Sequence, residues 1–247
     1  MSATVEKALK VLELLSIYGH PVRLAELSRE LNMNKSTTYR LLEKMSQLGY
    51  VRRDSSDSRY MLTTRMWAIG VRAFRNFDLR TWARSHLEEL EREVNETAVL
   101  AVLEDLDVVI VDKRESAQAV QTMSPLGSRT PLHCSSLGKA LLMGDFDTIF
   151  PRLKRLRKFT DKTITSLPAL RKEIERARKA GVAEGHDEYA IGVSGVSAPI
   201  HGVDGALLGV IGISLPTSRA EPAHMEAIRQ AVREHAAQMS KVLGGVS

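Results

Sequence analysis

Six consecutive residues, Lys35-Ser36-Thr37-Thr38-Tyr39-Arg40, concentrate groups that can read a nucleic acid. Hydroxyls donate to or accept from base edges and phosphates, a threonine methyl packs on a thymine methyl, and an arginine bridges the two acceptors of guanine. Two successive β-branched residues near a helix start have weak helix propensity, so folding alone gives little reason for them. Lys35, Ser36, Thr37, Thr38 and Arg40 are therefore the expected contact residues. Lys44, one turn later, and Arg52, Arg53 and Arg59 are expected on the phosphate backbone, whereas Tyr39 and Leu42 are expected in the core.

The second half of the chain holds weaker signals. Ser135-Ser136-Leu137-Gly138 at a helix start offers hydroxyls and free N–H groups that suit a carboxylate, and reads equally well as a cap beneath a packing glycine. Asp187 and Glu188 are adjacent, so on a strand at most one points into a cavity, and a solvated acidic face explains them more simply. His133, Cys134, His186 and His201 lack the His-x-x-x-His or Cys-x-x-Cys spacing of a metal site. A lone cysteine such as Cys134 is usually a small buried hydrophobe. No catalytic residue, metal or cofactor is expected.

These groups need elements to hold them. Residues 4–16 carry Val5, Ala8, Leu9, Val11, Leu12 and Leu15 at helical spacing, and Gly19-His20-Pro21 breaks the helix. Residues 24–31 give a second short helix, Asn34 or Ser36 can cap a third over 37–48, and Gly49 ends it. The period then falls to two. Residues 50–53 and 59–62 flank the polar turn 54–58, a β-hairpin. Three helices and a hairpin spell a winged helix-turn-helix, whose second motif helix enters the major groove. Residues 64–74 read as a linker helix and 79–94 as the helix that opens a larger domain. Strands are expected at 97–103, 108–112, 120–123, 192–200 and 206–214, the last two joined by the polar turn 201–205, with helices at 137–143, 166–180 and from Pro222 to about 242. In that last helix Met225, Ile228, Val232, His235, Met239 and Val242 form a packing or dimer stripe. The expected fold is α+β: a winged helix-turn-helix domain at 1–63, a linker helix at 64–77, and an antiparallel sheet of five or six strands flanked by helices at 78–247.

Charge agrees with that division. Residues 1–75 hold 13 lysines and arginines against 7 acidic residues, a net of +6 in a chain of +5 overall, so the remainder sums to −1. Such a distribution is expected when one domain faces a polyanion, and chance placement of the charges explains it equally well. Hydrophobic content of 43% and charged content of 26% are those of a soluble globular protein. The chain holds no apolar run near the ~20 residues that span a bilayer, no signal-peptide pattern and one cysteine, so a cytoplasmic protein without membrane contact is expected.

Read together, these motifs resemble the IclR family of bacterial transcriptional regulators over nearly the whole chain. Val5-Glu6-Lys7-Ala8-Leu9-Lys10-Val11-Leu12, Leu24-Ala25-Glu26-Leu27 and Lys35-Ser36-Thr37-Thr38-Tyr39-Arg40-Leu41-Leu42 are similar to the family's first three helices. The run from Pro131 to Leu142, Asp187-Glu188 with Gly192 and Ser197-Ala198-Pro199-Ile200, and Gly212-Ile213-Ser214-Leu215-Pro216 resemble its second-domain motifs. The resemblance implies a GAF-like effector domain, and homodimers or homotetramers on palindromic double-stranded operator DNA. By motif position it implies a pocket lined by Thr130, Ser136, Leu137, Gly138, Asp187, Val193, Gly195, Gly212 and Ser214. Gly185, Gly195 and Gly212 stand where some relatives place larger polar or thiol side chains, which implies a roomier cavity.

The expected function is a non-catalytic transcriptional regulator, a repressor by the commoner mode in such families. A small-molecule effector, with an organic or aromatic acid as the expected class, would control its operator binding. In a dimer, two recognition helices would enter successive major grooves about 34 Å apart. Two alternatives compete: a GAF-like enzyme domain fused to a DNA-binding head, and a ligand-free architectural DNA-binding protein.

Overall fold

The computed structural model describes residues 3–54, 57–73, 78–202 and 205–244. The chain divides into two compact units, Met1–Phe77 and Asp78–Ser247. Residues 55–56 of the hairpin tip, Phe74 at the end of the expected linker helix, and 203–204 of the second polar turn lie outside the described residues. No helix among the described residues is long and apolar enough to cross a membrane.

In the first unit, α1 (Ala3–Tyr18), α2 (Leu24–Glu30) and α3 (Lys35–Gln47) precede the strands β1 (Val51–Arg53) and β2 (Tyr60–Leu62), and α4 (Thr64–Ala73) follows. Val11 and Leu15 of α1, Leu27 of α2, and Leu41, Leu42 and Met45 of α3 close one core with Val22, Val51 and Tyr60. The Asn34 carboxamide caps α3 by accepting from the Thr37 N–H at 2.8 Å. Gly49, at φ +76°, turns the chain out of α3 in a backbone region that only glycine enters freely. β1 and β2 then pair antiparallel, Val51 opposite Leu62 and Arg53 opposite Tyr60. The Thr63 hydroxyl ties the end of the hairpin back to the Gly49 carbonyl at 2.6 Å.

The second unit is built on a six-stranded antiparallel sheet in the order β5-β4-β3-β8-β7-β6. Its strands are β3 (Thr97–Glu104), β4 (Asp107–Arg114), β5 (Arg129–Pro131), β6 (Ala183–His186), β7 (Val193–His201) and β8 (Leu207–Pro216). On one face α5 (Asp78–Val94) and α9 (Pro222–Gly244) pack together and against β3, β7 and β8. On the other, α6 (Ser136–Gly144) and α8 (Leu167–Ala180) cover β6 and β7, with the short α7 (Phe146–Ile149) beside them. Alternation divides the strand residues between these layers. Val99, Ala101 and Val210 join Ala140–Met143, Leu170 and Ile174 in the core beneath α6 and α8, while Gly209 lies against Leu79 of α5.

Four elements differ from the sequence expectation. No strand forms at 120–123: the edge of β4 is taken by Arg129–Pro131 instead, and Val120 and Met123 stand in an irregular connection at 64% and 90% exposure. Neither α7 nor β6, whose Ala-Glu-Gly-His sequence lacks any β-branched residue, is foreshadowed by a periodic pattern.

Candidate functional site

The first candidate surface is the start of α3. Lys35, Ser36 and Arg40 are exposed there, Thr37 is half-buried, and Lys44 is exposed one turn on with its ammonium 3.1 Å from Gln47 Oε1. Thr38 departs from expectation. It is fully buried, its hydroxyl donates to the Asn34 carbonyl at 3.2 Å, and it has no surface to offer a base. Its place outside is taken by Tyr39, expected in the core but 40% exposed, whereas Leu42 is fully buried as expected. The reason is helical phase: Thr38, Leu41, Leu42 and Met45 form the inward stripe, which turns position 39 outward with 35 and 36. Ser36 donates to Asn34 Oδ1 at 2.9 Å, so its hydroxyl also braces the cap.

On the hairpin, Arg52 and Arg53 are exposed, and the Arg53 guanidinium sits 5.8 Å from the Tyr60 ring centre, a contact that stiffens its stem. Arg59 is half-buried and pairs with Asp57 at 2.7 Å. The Asp57 carboxylate thus already holds one of the expected backbone-contacting arginines.

The second candidate site is a cavity of about 450 Å³ in the second unit. Val99 and Ile110 supply apolar lining, Met123–Pro125 and Ser128 come from the β4–β5 connection, and Arg129 and Thr130 from β5. Cys134–Leu137 enter from the start of α6, Gly185 from β6, Glu188–Ala190 from the β6–β7 connection, and Val193–Gly195, Ile213 and Ser214 from β7 and β8. Of the nine residues implied by the resemblance, Thr130, Ser136, Leu137, Val193, Gly195 and Ser214 line it, and Gly138, Asp187 and Gly212 do not.

Each of those three has another task. A Cβ on Gly138 would stand 2.2 Å from the Leu132 carbonyl oxygen, so this glycine lets α6 lie on the preceding turn. A Cβ on Gly212 would meet Ser197 Oγ at 2.2 Å, and Ser197 in turn donates to Ser136 Oγ at 2.9 Å. Asp187, at φ +55°, folds the β6–β7 connection around its carboxylate, which accepts from Lys162 Nζ (2.7 Å), the Thr217 hydroxyl (2.6 Å) and the Gly192 N–H (2.8 Å). The Lys162 bond first and the Thr217 bond second hold its pKa down to about 2.

The glycines do not enlarge the cavity. Gly185 and Gly195 face each other across β6 and β7, and a Cβ on them would stand 2.9 Å from Ser136 N and 2.7 Å from Ser136 Oγ. The space that larger side chains would need is filled by the first turn of α6.

Glu188 is the lining residue that sequence reading undervalues. Its Oε1 accepts from Lys139 Nζ at 2.6 Å, and Lys139, 1% exposed, also reaches Glu173 at 3.4 Å. Its Oε2 is buried and has no hydrogen-bond partner among the described residues. A buried carboxylate oxygen left unpaired in a residue that lines a cavity is a group that a small shift of the side chain would offer to a donor there. The signal in sequence is Lys139, which stands among apolar α6 residues.

The other nucleophile and metal candidates resolve into structural roles. Burial, then the Glu188 charge, pushes the Cys134 thiol up to about 12, so it stays protonated at neutral pH. His133 Nε2 meets the Arg157 carbonyl at 2.9 Å, and His201 Nε2 lies 3.4 Å from the Gly144 carbonyl. His186 stands between Glu184 Oε2 (3.1 Å) and Ser194 Oγ (3.3 Å), a serine–histidine–acid chain. Gly185 and Gly195, the neighbours of these residues, turn toward α6, so the three side chains point to the opposite face of the sheet, where Arg229 of α9 also binds Glu184 at 2.9 Å. The His186 and Arg229 bonds hold Glu184 down to about 2. That chain fastens α9, and of its members only Ser194 is among the residues that line the cavity.

A winged helix-turn-helix with an exposed basic reading edge, carried with a second unit built around a cavity, defines a ligand-responsive transcription factor. Comparison with known proteins agrees. Residues 4–55 match the IclR helix-turn-helix domain, and residues 71–241 match the C-terminal domain of bacterial IclR transcriptional regulators. The HTH-type transcriptional regulator KdgR of Escherichia coli K12 is 33% identical over 87% of this chain and 84% of its own length. The DNA-binding transcriptional repressor YiaJ of the same organism is 31% identical over 98% and 88%. The Thermotoga maritima IclR crystal structure superposes with a TM-score of 0.83 at 26% identity, covering 99% of this chain and all of that one. An IclR homolog from Microbacterium hydrocarbonoxydans, crystallised with 4-hydroxybenzoate, shares the fold at a TM-score of 0.79 and 23% identity over 96% and 99%. The chain belongs to the IclR family of DNA-binding transcriptional regulators.

Proposed function

We propose that the chain is a repressor that reads a palindromic operator as a dimer, or a pair of dimers, and responds to a small organic acid that also carries a hydrogen-bond donor. The observation that carries the ligand class is Glu188 in the lining of the cavity, its Oε2 buried without a hydrogen-bond partner among the described residues, together with the Ser136 hydroxyl at the start of α6. Ser136, at the N-terminus of α6, accepts from Ser197 and so keeps its own proton for a ligand, while Arg129, also in the lining, has its guanidinium paired with Glu104 and Asp107. A carboxylate at Ser136 and a hydroxyl on Glu188 would satisfy both ends. A cavity of about 450 Å³ lies in the range of small-molecule sites. The 4-hydroxybenzoate of the Microbacterium relative has both groups and is a rational first probe.

Thr130, Leu137, Val193, Gly195 and Ser214 complete the proposed effector site. Lys35, Ser36, Thr37, Tyr39 and Arg40 form the proposed reading edge, with Lys44, Arg52, Arg53 and, after release from Asp57, Arg59 on phosphates. Exposed Val5 and Leu9 on α1 and Trp67 and Ile69 on α4 support self-association of the head. An enzymatic role is disfavoured by the protonated Cys134 and by the engagement of the Ser194 hydroxyl with His186 and Thr217.

Fluorescence anisotropy tests the reading. Purified protein is titrated with DNA from upstream of its own gene and with an unrelated duplex, at about 50 and about 200 mM salt. Selective binding that survives the higher salt, weakened about 5–150-fold by an organic acid that binds the cavity, is the expected result. Equal and salt-sensitive binding to both duplexes would support an architectural protein. Selective binding that no acid alters, together with an unshifted melting temperature in every acid tested, would remove the effector part.

A further inference from the structure

Far from the cavity, on the face of the sheet covered by α5 and α9, two histidines meet across the helix pair. His86 of α5 and His235 of α9 bring their Nδ1 atoms to 2.9 Å. His235 is 4% exposed, His86 is half-buried, and Glu89 lies one turn along α5 at the solvent edge. One nitrogen from each ring and one Glu89 carboxylate oxygen all fall within 4.8 Å of one another.

We propose that His86, Glu89 and His235 hold a divalent transition-metal ion, Zn²⁺ being the species that this donor set suits. Two imidazole nitrogens on one ion at about 2.0–2.1 Å stand about 2.9 Å apart at a right angle and about 3.4 Å apart at the tetrahedral angle. The observed separation matches the first value and needs to open by about half an ångström for the second. His86 and Glu89 are three residues apart on a helix and so share one side. The partially open rim leaves a fourth position for water.

The orientation of His235 strengthens the assignment. Its other ring nitrogen, Nε2, lies 3.4 Å from Glu93 Oε1. A ligating histidine commonly donates its second N–H to a carboxylate, which fixes the tautomer and points the lone pair of the first nitrogen at the metal. Glu93, one turn beyond Glu89, fills that role. Two imidazoles and one carboxylate select zinc, nickel, cobalt or copper over magnesium or calcium, which prefer all-oxygen shells. An ion here would clamp the first helix of the second unit to its last.

The test uses full-length, tag-free, metal-stripped protein. Calorimetric titration with Zn²⁺ is expected to show one equivalent bound, with a rise in melting temperature that Mg²⁺ does not produce. Glu89→Gln and His86→Gln should each weaken Zn²⁺ binding by tenfold or more, while the metal-free melting temperature of Glu89→Gln stays at the wild-type value. Glu93→Gln, acting through His235, should weaken binding about 10–100-fold. Failure of the wild type to take up one equivalent overturns the proposal. So does binding that survives Glu89→Gln unchanged, since the ion would then sit elsewhere or rest on the histidines alone.

Discussion

Among single residues, Lys139 is a buried cation held between two carboxylates. A cation at 1% exposure is tolerable because Glu188 lies at 2.6 Å and Glu173 at 3.4 Å. Removing one member of a buried pair leaves the other charged and unpaired, which costs about 3–5 kcal/mol. Lys139→Met is therefore expected to destabilise the protein by about that much in urea unfolding, and Lys139→Met with Glu188→Gln to recover most of it. A loss below about 1 kcal/mol, the range of exposed pairs, would show that water reaches the pair. Asp187 gives a second prediction. Its carboxyl titrates at about 2 in the folded chain against about 3.9 unfolded, so its stabilisation is present above pH ~4 and is lost as pH falls toward 2. Asparagine accepts the positive φ, so Asp187→Asn isolates the charge. The variant should melt lower than wild type at pH 7 and fall less steeply on acidification, the two curves converging near pH ~2. Parallel curves would show that Asp187 is not the titrating anchor, leaving Glu184, also held at about 2, to account for the acid loss.

At the scale of elements, glycines decide how closely α6 approaches its surroundings. Gly138 sits against Leu132 main chain, with 2.2 Å to the carbonyl oxygen that a Cβ would meet, and backbone cannot step aside as a side chain can. Gly70 of α4 meets nothing within 4 Å. Gly138→Ala should therefore destabilise by about 3 kcal/mol, and Gly70→Ala should stabilise by about 0.5–1 kcal/mol through helix propensity and a stiffer unfolded chain. Thermal melts of both variants check the pair, and a stable Gly138→Ala protein would mean that α6 can lift off its bed. The same elements show what sequence can and cannot display. The helices α1, α2, α3, α8 and α9 are legible because each carries its own periodic stripe, and β3, β4, β7 and β8 because they are apolar runs bounded by turns. The inward position of Thr38 is also written there, as the first member of the stripe completed by Leu41, Leu42 and Met45, but its polar side chain disguises it. β6 has no such stripe and is a strand only because β7 lies beside it. Most of the cavity residues are found on loops and strand ends brought together by the sheet, and the contact between Glu188 and Lys139 spans 49 positions. No local period encodes such a meeting. The resemblance to relatives carried six cavity residues, while Gly138, Asp187 and Gly212, placed by the same motifs, serve the scaffold around it.

At the scale of the whole molecule, charge separates the two activities. The net of +6 in residues 1–75 and −1 in the rest assigns the polyanion to the first unit. Binding to DNA should release counterions, with log K falling against log salt by about 0.9 for each phosphate neutralised. Residues that touch phosphate and residues that read bases then part company in a single experiment. Arg53, exposed on the hairpin, should act on the backbone: Arg53→Ala reduces the salt slope by about 1 and weakens specific and unrelated duplexes alike. Arg40, exposed beside the α3 N-terminus, should act on bases: Arg40→Ala loses about 1–3 kcal/mol on the operator and little on the unrelated duplex. Neither side chain belongs to the head's buried core, so both variants should keep the wild-type melting temperature. Both should also keep the ligand-induced shift of the second unit, because their positions lie outside it. If Arg40→Ala instead lowers both duplexes equally and flattens the salt slope, α3 approaches DNA by its phosphates alone, and the reading edge must be sought around Tyr39 and Lys35.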